Sequence, residues 1–201
     1  EAGIHHGLLY RARDGMRCAE PRVWQAIEEA TSSVRRELYH QELAASIEAR
    51  TDQPPLQRHH AAAWHFRQGG DRERADVHGL ALVPAALGAG AFQGAIAAFR
   101  EIPELARARL PHVDYLALIS ATGATGNSQA AMDLAVQRLA AVEAEPEQAD
   151  LLLAQGQHAG AQGDISAALP IIEQALALLG EPLPGHAMGA ALSRLADGAA
   201  R

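Results

Sequence analysis

Several residue types that carry common chemistries are rare or missing in this 201-residue chain. There is no lysine, and all 17 basic residues are arginine. That excludes a phosphate-loop lysine, a Schiff-base lysine and a lysine acting as a general base. Cys18 is the only cysteine, so no internal disulfide is possible, and we expect a reducing cytoplasm as the compartment.

Long apolar runs are missing as well. No stretch approaches the roughly 18 uncharged apolar residues that a membrane span needs, and no basic-then-apolar signal peptide opens the chain. No Gly-x-Ser-x-Gly elbow of a serine hydrolase occurs. We therefore expect neither a membrane partner nor catalysis. Because the chain starts at Glu1 and not at methionine, we expect a piece of a longer polypeptide.

Charge is distributed unevenly along the chain. Residues 1–110 contain 14 arginines and 14 acidic residues, whereas residues 111–201 contain three arginines and ten acidic residues. The net charge of −7 therefore lies in the second half, which would repel a phosphate backbone. We expect no direct binding of nucleic acid.

Alanine is abundant, with 45 copies, whereas aromatic residues make up only 4% of the chain. Since alanine is the best helix former and the β-branched strand formers are sparse, we predict an all-α fold. Apolar spacing and glycine or proline stops predict helices near residues 34–50, 56–68, 72–89, 91–102, 113–124, 128–143, 148–161, 165–179 and 186–196. Pro84 and Pro170 fall inside two of these helices, where we expect a kink or a shifted boundary.

A short turn motif returns at a nearly fixed interval. Three turns combine a glycine with an alanine five residues later: Gly90 with Ala95, Gly126 with Ala131, and Gly163 with Ala168. Their spacing of 36 and 37 residues predicts antiparallel helical hairpins at 72–102, 113–143 and 148–179. Gly70 lies only 20 residues before Gly90, so we place it at a joint between hairpins.

Small residues on facing helices predict close packing. Ala168 and Ala175 lie on one face of the predicted 165–179 helix, and Gly156 lies on the helix before it. Such residues let two helix axes approach to about the low end of the usual 8–10 Å. We assign them, together with the glycines and alanines of the three turns, to packing within the repeats.

The first 20 residues differ from the rest of the chain. Asp14-Gly15 joins two short runs, which is the strongest local signal for a β-hairpin. Pro21 then stands where a helix would begin, since proline suits the first helical turn. The predicted fold class is therefore an all-α array of antiparallel helical hairpins with a short β-hairpin wing near the N-terminus.

Candidate contact residues are few. Arg35 and Arg36, near the start of a helix, are placed to touch phosphate or an acidic neighbouring domain, unless they simply form a solvated face. Trp64 and Phe66 lie about 200° apart on one helix, so only one of them can face the core fully. The other is a candidate for contact with a partner, unless it packs against the 35–47 helix.

We predict no catalytic, cofactor-binding or metal-binding residues. The densest histidine group is His59, His60 and His65, but none of its pairs has the i, i+4 spacing of a helical metal pair. Acidic clusters such as Glu28-Glu29 lie at helix ends or on polar faces. Acids in the first turn of a helix suit the helix dipole, so they do not by themselves indicate acid–base catalysis.

The last of the three turns resembles a known repeat. The matching positions are Gly163, Asp164, Ala167, Ala168, Ile172, Ala175 and Leu176. They resemble the second-helix signature of the tetratricopeptide repeat (TPR), which implies a degenerate TPR-like α-solenoid over residues 56–201. The Gly126 copy departs from the signature, because Arg138 stands where the repeat prefers alanine and Ala135 where it prefers an aromatic residue. The ligand-holding positions of that family are therefore not carried over.

A second set of segments, from residue 3 to about residue 100, keeps a recognisable order. These segments are the wing at 3–19, the helix from Pro21, the segment Arg35–Ala44 and the stretch His60–Ala75. Together they resemble the end of the winged helix and the following repeats of the LuxR-type signal-transduction ATPases with numerous domains. The resemblance implies that residues 1–50 end a winged-helix domain. It also implies an ATP-binding ATPase core before Glu1 and a DNA-binding helix-turn-helix after Arg201, with no cofactor between them.

These expectations lead to one functional prediction and one alternative. The chain would be a non-enzymatic regulatory or sensor module of an ATP-dependent transcriptional regulator. It would bind a small-molecule inducer or a protein, contact other domains of the same chain, and act through a two-state shift. The alternative is a structural TPR-type adaptor between proteins, with no ligand of its own.

Overall fold

Helices joined by short turns build this fold. The computed structural model describes residues 9–12, 15–18 and 21–181. The chain divides into two compact units, residues 1–78 and residues 79–201. This boundary falls after His78, inside a helix. The assignment of the N-terminal residues to a winged-helix domain and of the others to TPR-like repeats stays a prediction.

The described helices of the first unit are α1 (Pro21–Ala30), α2 (Ser33–Glu48), α3 (Pro55–Gln68) and the start of α4 (Arg72–Gly88). Local signals set where three of them begin. Ser32 caps α2 by accepting a hydrogen bond from the Arg35 N–H at 3.4 Å. Pro55 opens α3, where its missing amide hydrogen costs nothing. Asp71 caps α4 by accepting a hydrogen bond from the Arg74 N–H at 3.0 Å.

A small apolar core joins α2, α3 and the start of α4. Ala44, Ala62, Phe66 and Ala75 are buried in this core, and Ile47 packs against it. Three of the four buried side chains are alanines, so one aromatic ring supplies most of the buried side-chain volume. This makes the unit dependent on Phe66, because aromatic side chains dominate the energetics of the cores that contain them.

The prediction that a β-hairpin wing forms part of this fold is wrong. Residues 21–181 contain helices and turns but no strand. Before them, the backbone of Leu9–Ala12 pairs antiparallel with that of Gly15–Cys18. A two-stranded ribbon needs a third strand or a packed helix for stability in water, and the side chains described for α1 are exposed. The helical part of the predicted fold class fits the structure.

The second unit continues with helices that pack on one another in chain order. They are α5 (Phe92–Glu101), the single turn α6 (Glu104–Arg107), α7 (His112–Ala124), α8 (Ser128–Leu139), α9 (Glu145–Ala161) and α10 (Ile165–Leu178). Helix α7 packs on α5, α8 and α9, and α9 also packs on α8 and α10. Pro84 and Pro170 lie inside α4 and α10, which continue past them. The predicted helix at 186–196 lies outside the described residues.

Left-handed glycines end the helices at the turns. Their φ angles are 78° at Gly70, 70° at Gly90, 86° at Gly126, 86° at Gly163 and 72° at Gly180. After Gly126, the Asn127 side chain accepts a hydrogen bond from the Ala130 N–H at 3.1 Å. The Asp164 carboxylate accepts one from the Ala167 N–H at 3.0 Å, which lowers the pKa of that carboxyl. The predicted combination of a glycine stop and a capping side chain is confirmed at both turns.

Two further glycines allow close approach between helices. A methyl group on Gly156 of α9 would lie 2.6 Å from Ile172 Cγ1 and 3.3 Å from the Ala168 carbonyl oxygen of α10. A methyl group on Gly123 of α7 would overlap the His158 ring of α9, with His158 Nδ1 at 2.6 Å. The observed helix packing therefore needs glycine at position 156, and the observed position of the His158 ring needs glycine at position 123. Among the described helices, none combines the length and the apolar character that a membrane span requires.

Candidate functional site

A groove opens between α5, α7 and α8 in the second unit. It consists of two neighbouring cavities of about 230 Å³ and about 310 Å³, and Arg107 and Gln137 line both. The smaller cavity has an apolar wall made by Ile96, Phe99, Leu118 and Leu134. Apolar and charged residues mix in the larger cavity, which is lined by Glu104, Leu105, Ala108, Tyr115, Arg138 and Ala141. Pockets for drug-sized ligands usually measure about 300–1,000 Å³, so this groove suits a small ligand.

Four side chains stack in a row along the groove. The Arg107 guanidinium lies 5.0 Å from the centre of the Phe99 ring, which meets the Tyr115 ring edge to face at 5.4 Å. On the other side of Tyr115, the Arg138 guanidinium lies 5.2 Å from the ring centre. Cation–π contacts are typically worth about 0.5–1 kcal/mol at exposed sites. The row therefore holds both guanidiniums in fixed positions at the groove wall.

Arg107 is held by main-chain oxygens at the end of α5. Its Nε donates to the Ile102 carbonyl at 2.8 Å, and its Nη2 donates to the Arg100 carbonyl at 2.9 Å. The last carbonyls of a helix lack intrahelical partners, and here one side chain satisfies two of them. These contacts fix the guanidinium without neutralising its charge.

Arg138 makes an equivalent set of contacts from α8. Its Nη1 donates to the Ala108 carbonyl at 3.1 Å, and its Nη2 donates to the Leu110 carbonyl at 3.4 Å. The Nε atom is buried and has no hydrogen-bond partner among the described residues. Arg138 thus holds the segment after α6 against α8, and the partners described for its guanidinium are neutral oxygens.

The groove carries more positive than negative charge. Arginines 100, 107 and 138 line it, against two carboxylates, Glu104 and Asp133. Residues 79–201 as a whole contain six arginines and 12 acidic residues, so the groove is a local exception. Burial raises the pKa of Tyr115, and the nearby Arg138 and Arg107 oppose that rise only in part. The phenol is therefore neutral at physiological pH.

The Thr122 side chain lines the smaller cavity. The Thr122 hydroxyl donates to the Leu118 carbonyl at 2.8 Å within its own helix, so it is not poised as a nucleophile. The residues that line the two cavities include no histidine and no cysteine. In the part of the chain that the structure describes, no three histidine, cysteine or acidic side chains converge in a way that would hold a metal ion.

The two candidate aromatic residues lie in the first unit and differ sharply in exposure. Phe66 is fully buried, whereas Trp64 is 48% exposed. The Phe66 ring stacks on His78 at 5.5 Å, and the Arg74 guanidinium lies 4.1 Å from its centre. The Trp64 ring meets the His65 ring edge to face at 4.7 Å. Trp64 thus keeps a surface open to solvent, while Phe66 serves the core.

The other predicted residues lie in three places. Arg35 and Arg36 are exposed in the first turn of α2. The small residues assigned to repeat packing are buried at Ala95, Ala131, Gly156, Ala168 and Ala175. The turn glycines Gly90, Gly126 and Gly163 are exposed. None of the predicted contact residues lines the groove.

Sequence reasoning missed the residues that line the groove. The one signal at Arg138 came from the resemblance to the TPR signature, which would place alanine there. Arg107 gave no signal, because its partners are carbonyl oxygens that any sequence provides. Histidine contacts were also missed: His40 meets His65, and His59 meets His78, each across two helices.

Comparison with known protein families, with curated proteins and with solved structures found no match to this chain.

Proposed function

We propose that this chain is a regulatory binding module whose ligand site is the groove between α5, α7 and α8. The observation that carries the proposal is the pair of guanidiniums, Arg107 and Arg138, that are fixed on aromatic rings and held by neutral carbonyl oxygens. A guanidinium that bonds only to neutral oxygens, beside an apolar wall, keeps a positive charge that a bound anion can offset.

The ligand class follows from the same residues. Guanidinium groups bind carboxylates with charge-assisted hydrogen bonds, and the wall of Ile96, Phe99 and Leu118 accepts an apolar body. The cavity volumes limit that body to a few carbon atoms or one small ring. The proposed ligand is therefore a small monocarboxylic acid with an apolar tail.

The wider role extends this site to regulation. By the resemblance described above, the module would belong to a cytoplasmic, ATP-dependent transcriptional regulator of the LuxR type. Ligand binding between three helices would favour one arrangement of those helices, and that bias would be transmitted to an ATPase core. The module itself would perform no chemistry and bind neither nucleic acid nor membrane.

A titration with matched probes tests the ligand site. Hexanoate and hexan-1-ol differ only in the carboxylate, and both fit the apolar wall. We expect hexanoate to shift the NMR signals of Phe99 and Tyr115 at concentrations where hexan-1-ol does not. Arg107→Gln, which removes one of the two guanidiniums, should weaken hexanoate binding, whereas Arg109→Gln, outside the lining, should not. Equal shifts by both probes, or no shift by hexanoate, would overturn the proposed ligand class.

A structural adaptor remains the second candidate, and one observation favours it. Helix α2 exposes Val34, Leu38, Tyr39 and Leu43, each with about half or more of its surface open. Val34 and Leu38 lie one turn apart on the helix, as do Tyr39 and Leu43, and adjacent exposed apolar side chains are candidates for contact with a protein. Hydrogen exchange separates the two candidates: hexanoate should slow exchange in α5, α7 and α8 for the sensor, and leave it unchanged for the adaptor.

A further inference from the structure

Two pairs of histidine rings meet nitrogen to nitrogen in the first unit. His40 Nδ1 of α2 lies 2.9 Å from His65 Nδ1 of α3. His59 Nδ1 of α3 lies 3.0 Å from His78 Nδ1 of α4. One helix, Pro55–Gln68, therefore supplies one ring to each pair and is joined by imidazoles to both of its neighbours in sequence.

The geometry is that of a shared proton. Ring centres lie 5.1 Å apart in the His40–His65 pair and 5.3 Å apart in the His59–His78 pair. These separations are close to the nitrogen–nitrogen distances plus the two ring radii, so the nitrogens point almost directly at each other. Two nitrogens that coordinate one metal ion would instead converge on a third point. An N–H···N hydrogen bond needs one donor and one acceptor, so each contact holds a single proton.

Glu48 fixes the proton positions in the second pair. Its Oε1 atom lies 3.1 Å from His78 Nε2, and a carboxylate can only accept, so His78 Nε2 carries a proton. In neutral His78 the Nδ1 atom must then accept, and His59 donates to it. If His78 becomes charged, its Nδ1 donates and His59 must be neutral. A second added proton leaves two donors facing each other and breaks the hydrogen bond.

The groups that face the His59–His78 pair do not offset a second charge. Glu48 also forms an ion pair with Arg74, so its negative charge is already shared. Phe66 stacks on the His78 ring at 5.5 Å, and Arg58 adds positive charge beside His59. Burial lowers the pKa of His59, and the charges of His78 and Arg58 lower it further.

The His40–His65 pair is surrounded by aromatic surface. Trp64 meets the His40 ring at 5.2 Å and the His65 ring at 4.7 Å, both edge to face. Gln41, the next residue of α2, donates to the Gly69 carbonyl at 2.6 Å beside the pair. Burial lowers the pKa of His65, and the charge of His40 lowers it further. His40 is the titratable group whose charge acts on the His65 ring.

We propose that the two histidine pairs form an acid-released clasp on α3. At neutral pH each pair joins α3 to a neighbouring helix through one proton; at mildly acidic pH a second proton separates the rings and loosens the first unit. The device lies in residues 40–78 and is independent of the groove proposed for the ligand.

The sign of the effect follows from the lowered values. His59 and His65 bind protons less readily in the folded chain than in the unfolded chain, where histidine has its ordinary pKa near 6.5. The stabilisation that the histidine pairs contribute is therefore complete above about pH 6.5. It is lost as the pH falls from there toward the lowered pKa values of the folded chain. For each pair, the unfolding constant should rise by up to about tenfold per pH unit.

Unfolding of the full chain by urea at pH 7.5, 6.5 and 5.5 tests the clasp. His59→Gln and His65→Gln keep a hydrogen-bonding side chain but remove the second titration, so each should flatten the loss of stability between pH 7.5 and 5.5. The matched control is His60→Gln, which replaces an exposed histidine of the same helix and should keep the wild-type slope. Equal slopes in all four proteins would overturn the proposal.

A second measurement keeps the proposal testable if a variant does not fold. Titration of the wild-type imidazole NMR signals should show His59 and His65 gaining protons at lower pH than an ordinary histidine does. Their protonation should coincide with faster hydrogen exchange in α3. Titration of His59 and His65 at the ordinary histidine pKa, or protonation without faster exchange, would contradict the clasp.

Discussion

Replacing Gly156 with alanine tests the close packing of α9 on α10. The added methyl group would lie 2.6 Å from Ile172 Cγ1, far inside the usual contact distance, and 3.3 Å from Ile172 Cδ1. Cγ1 is bonded to the Ile172 Cβ, so it cannot move aside without a change of rotamer. The Ala168 carbonyl oxygen, at 3.3 Å, is part of the α10 backbone and limits the remaining space.

Two effects of opposite sign decide the result. Alanine is favoured over glycine inside a helix by about 0.5–1 kcal/mol. Overpacking of a close interface costs about 1–3 kcal/mol. The second effect is larger, so we expect Gly156→Ala to lower the free energy of unfolding by about 0.5–2 kcal/mol. In a chain of this length, 1 kcal/mol corresponds to a fall in Tm of about 2–4 °C.

The same helix provides a matched control. A methyl group on Gly160 would lie 3.8 Å from the Ala168 Cβ, an ordinary contact. Only the preference of helices for alanine over glycine then remains, so Gly160→Ala should raise the free energy of unfolding by about 0.5–1 kcal/mol. Urea unfolding followed by circular dichroism, with hydrogen exchange of the α9 and α10 amides, measures both variants. A Gly156→Ala protein as stable as Gly160→Ala would refute the reasoning.

Three further predictions concern the same unit, two checked by urea unfolding and one by NMR titration. Ala168→Leu and Ala175→Leu should each lower the free energy of unfolding by about 1–3 kcal/mol. Both alanines are buried at the α9–α10 contact, and larger side chains would overpack it. Equal unfolding midpoints for wild type and both variants would contradict this. Gly123→Ala should displace the His158 ring. Burial lowers the pKa of that ring, so NMR titration should show the pKa rising in the variant. An unchanged titration would count against the contact. Asn127→Ala should cost about 0.5–2 kcal/mol, since the cap of α8 is lost; wild-type stability would mean that another group satisfies the freed amide.

Local signals made the helices and their turns predictable from the sequence. A glycine that takes a positive φ and a following Asn or Asp that caps the next helix act within about six residues, as at Gly126-Asn127. The wing shows the limit of such signals. Asp14-Gly15 favours a reversal of the chain, but it carries no information on whether any other element will bury the ribbon that results.

The groove could not be predicted, because its key contacts join residues that are distant in sequence. Arg138 donates to carbonyls 28 and 30 residues earlier, and carbonyl oxygens leave no trace in a sequence. The histidine pairs are separated by 25 and 19 residues, so a search for i, i+4 spacing within one helix could not find them. Each contact depends on which helices pack together and in which register, and that is settled by tertiary packing.

The two helical pairs of the second unit show how one turn motif leads to different surfaces. Helices α9 and α10 pack through Gly156 and the small residues of α10, which leaves little space between them. Helices α7 and α8 are joined by the same kind of turn. The side chains of Gln137 and Arg138 on α8, however, lie toward α5 and α7, where both line cavities. A long side chain such as that of Arg138 keeps the neighbouring backbone at a distance, and its charge must be solvated or bound. Arg138 therefore marks where packing gives way to a groove, which explains why binding is proposed at α8 and not between α9 and α10.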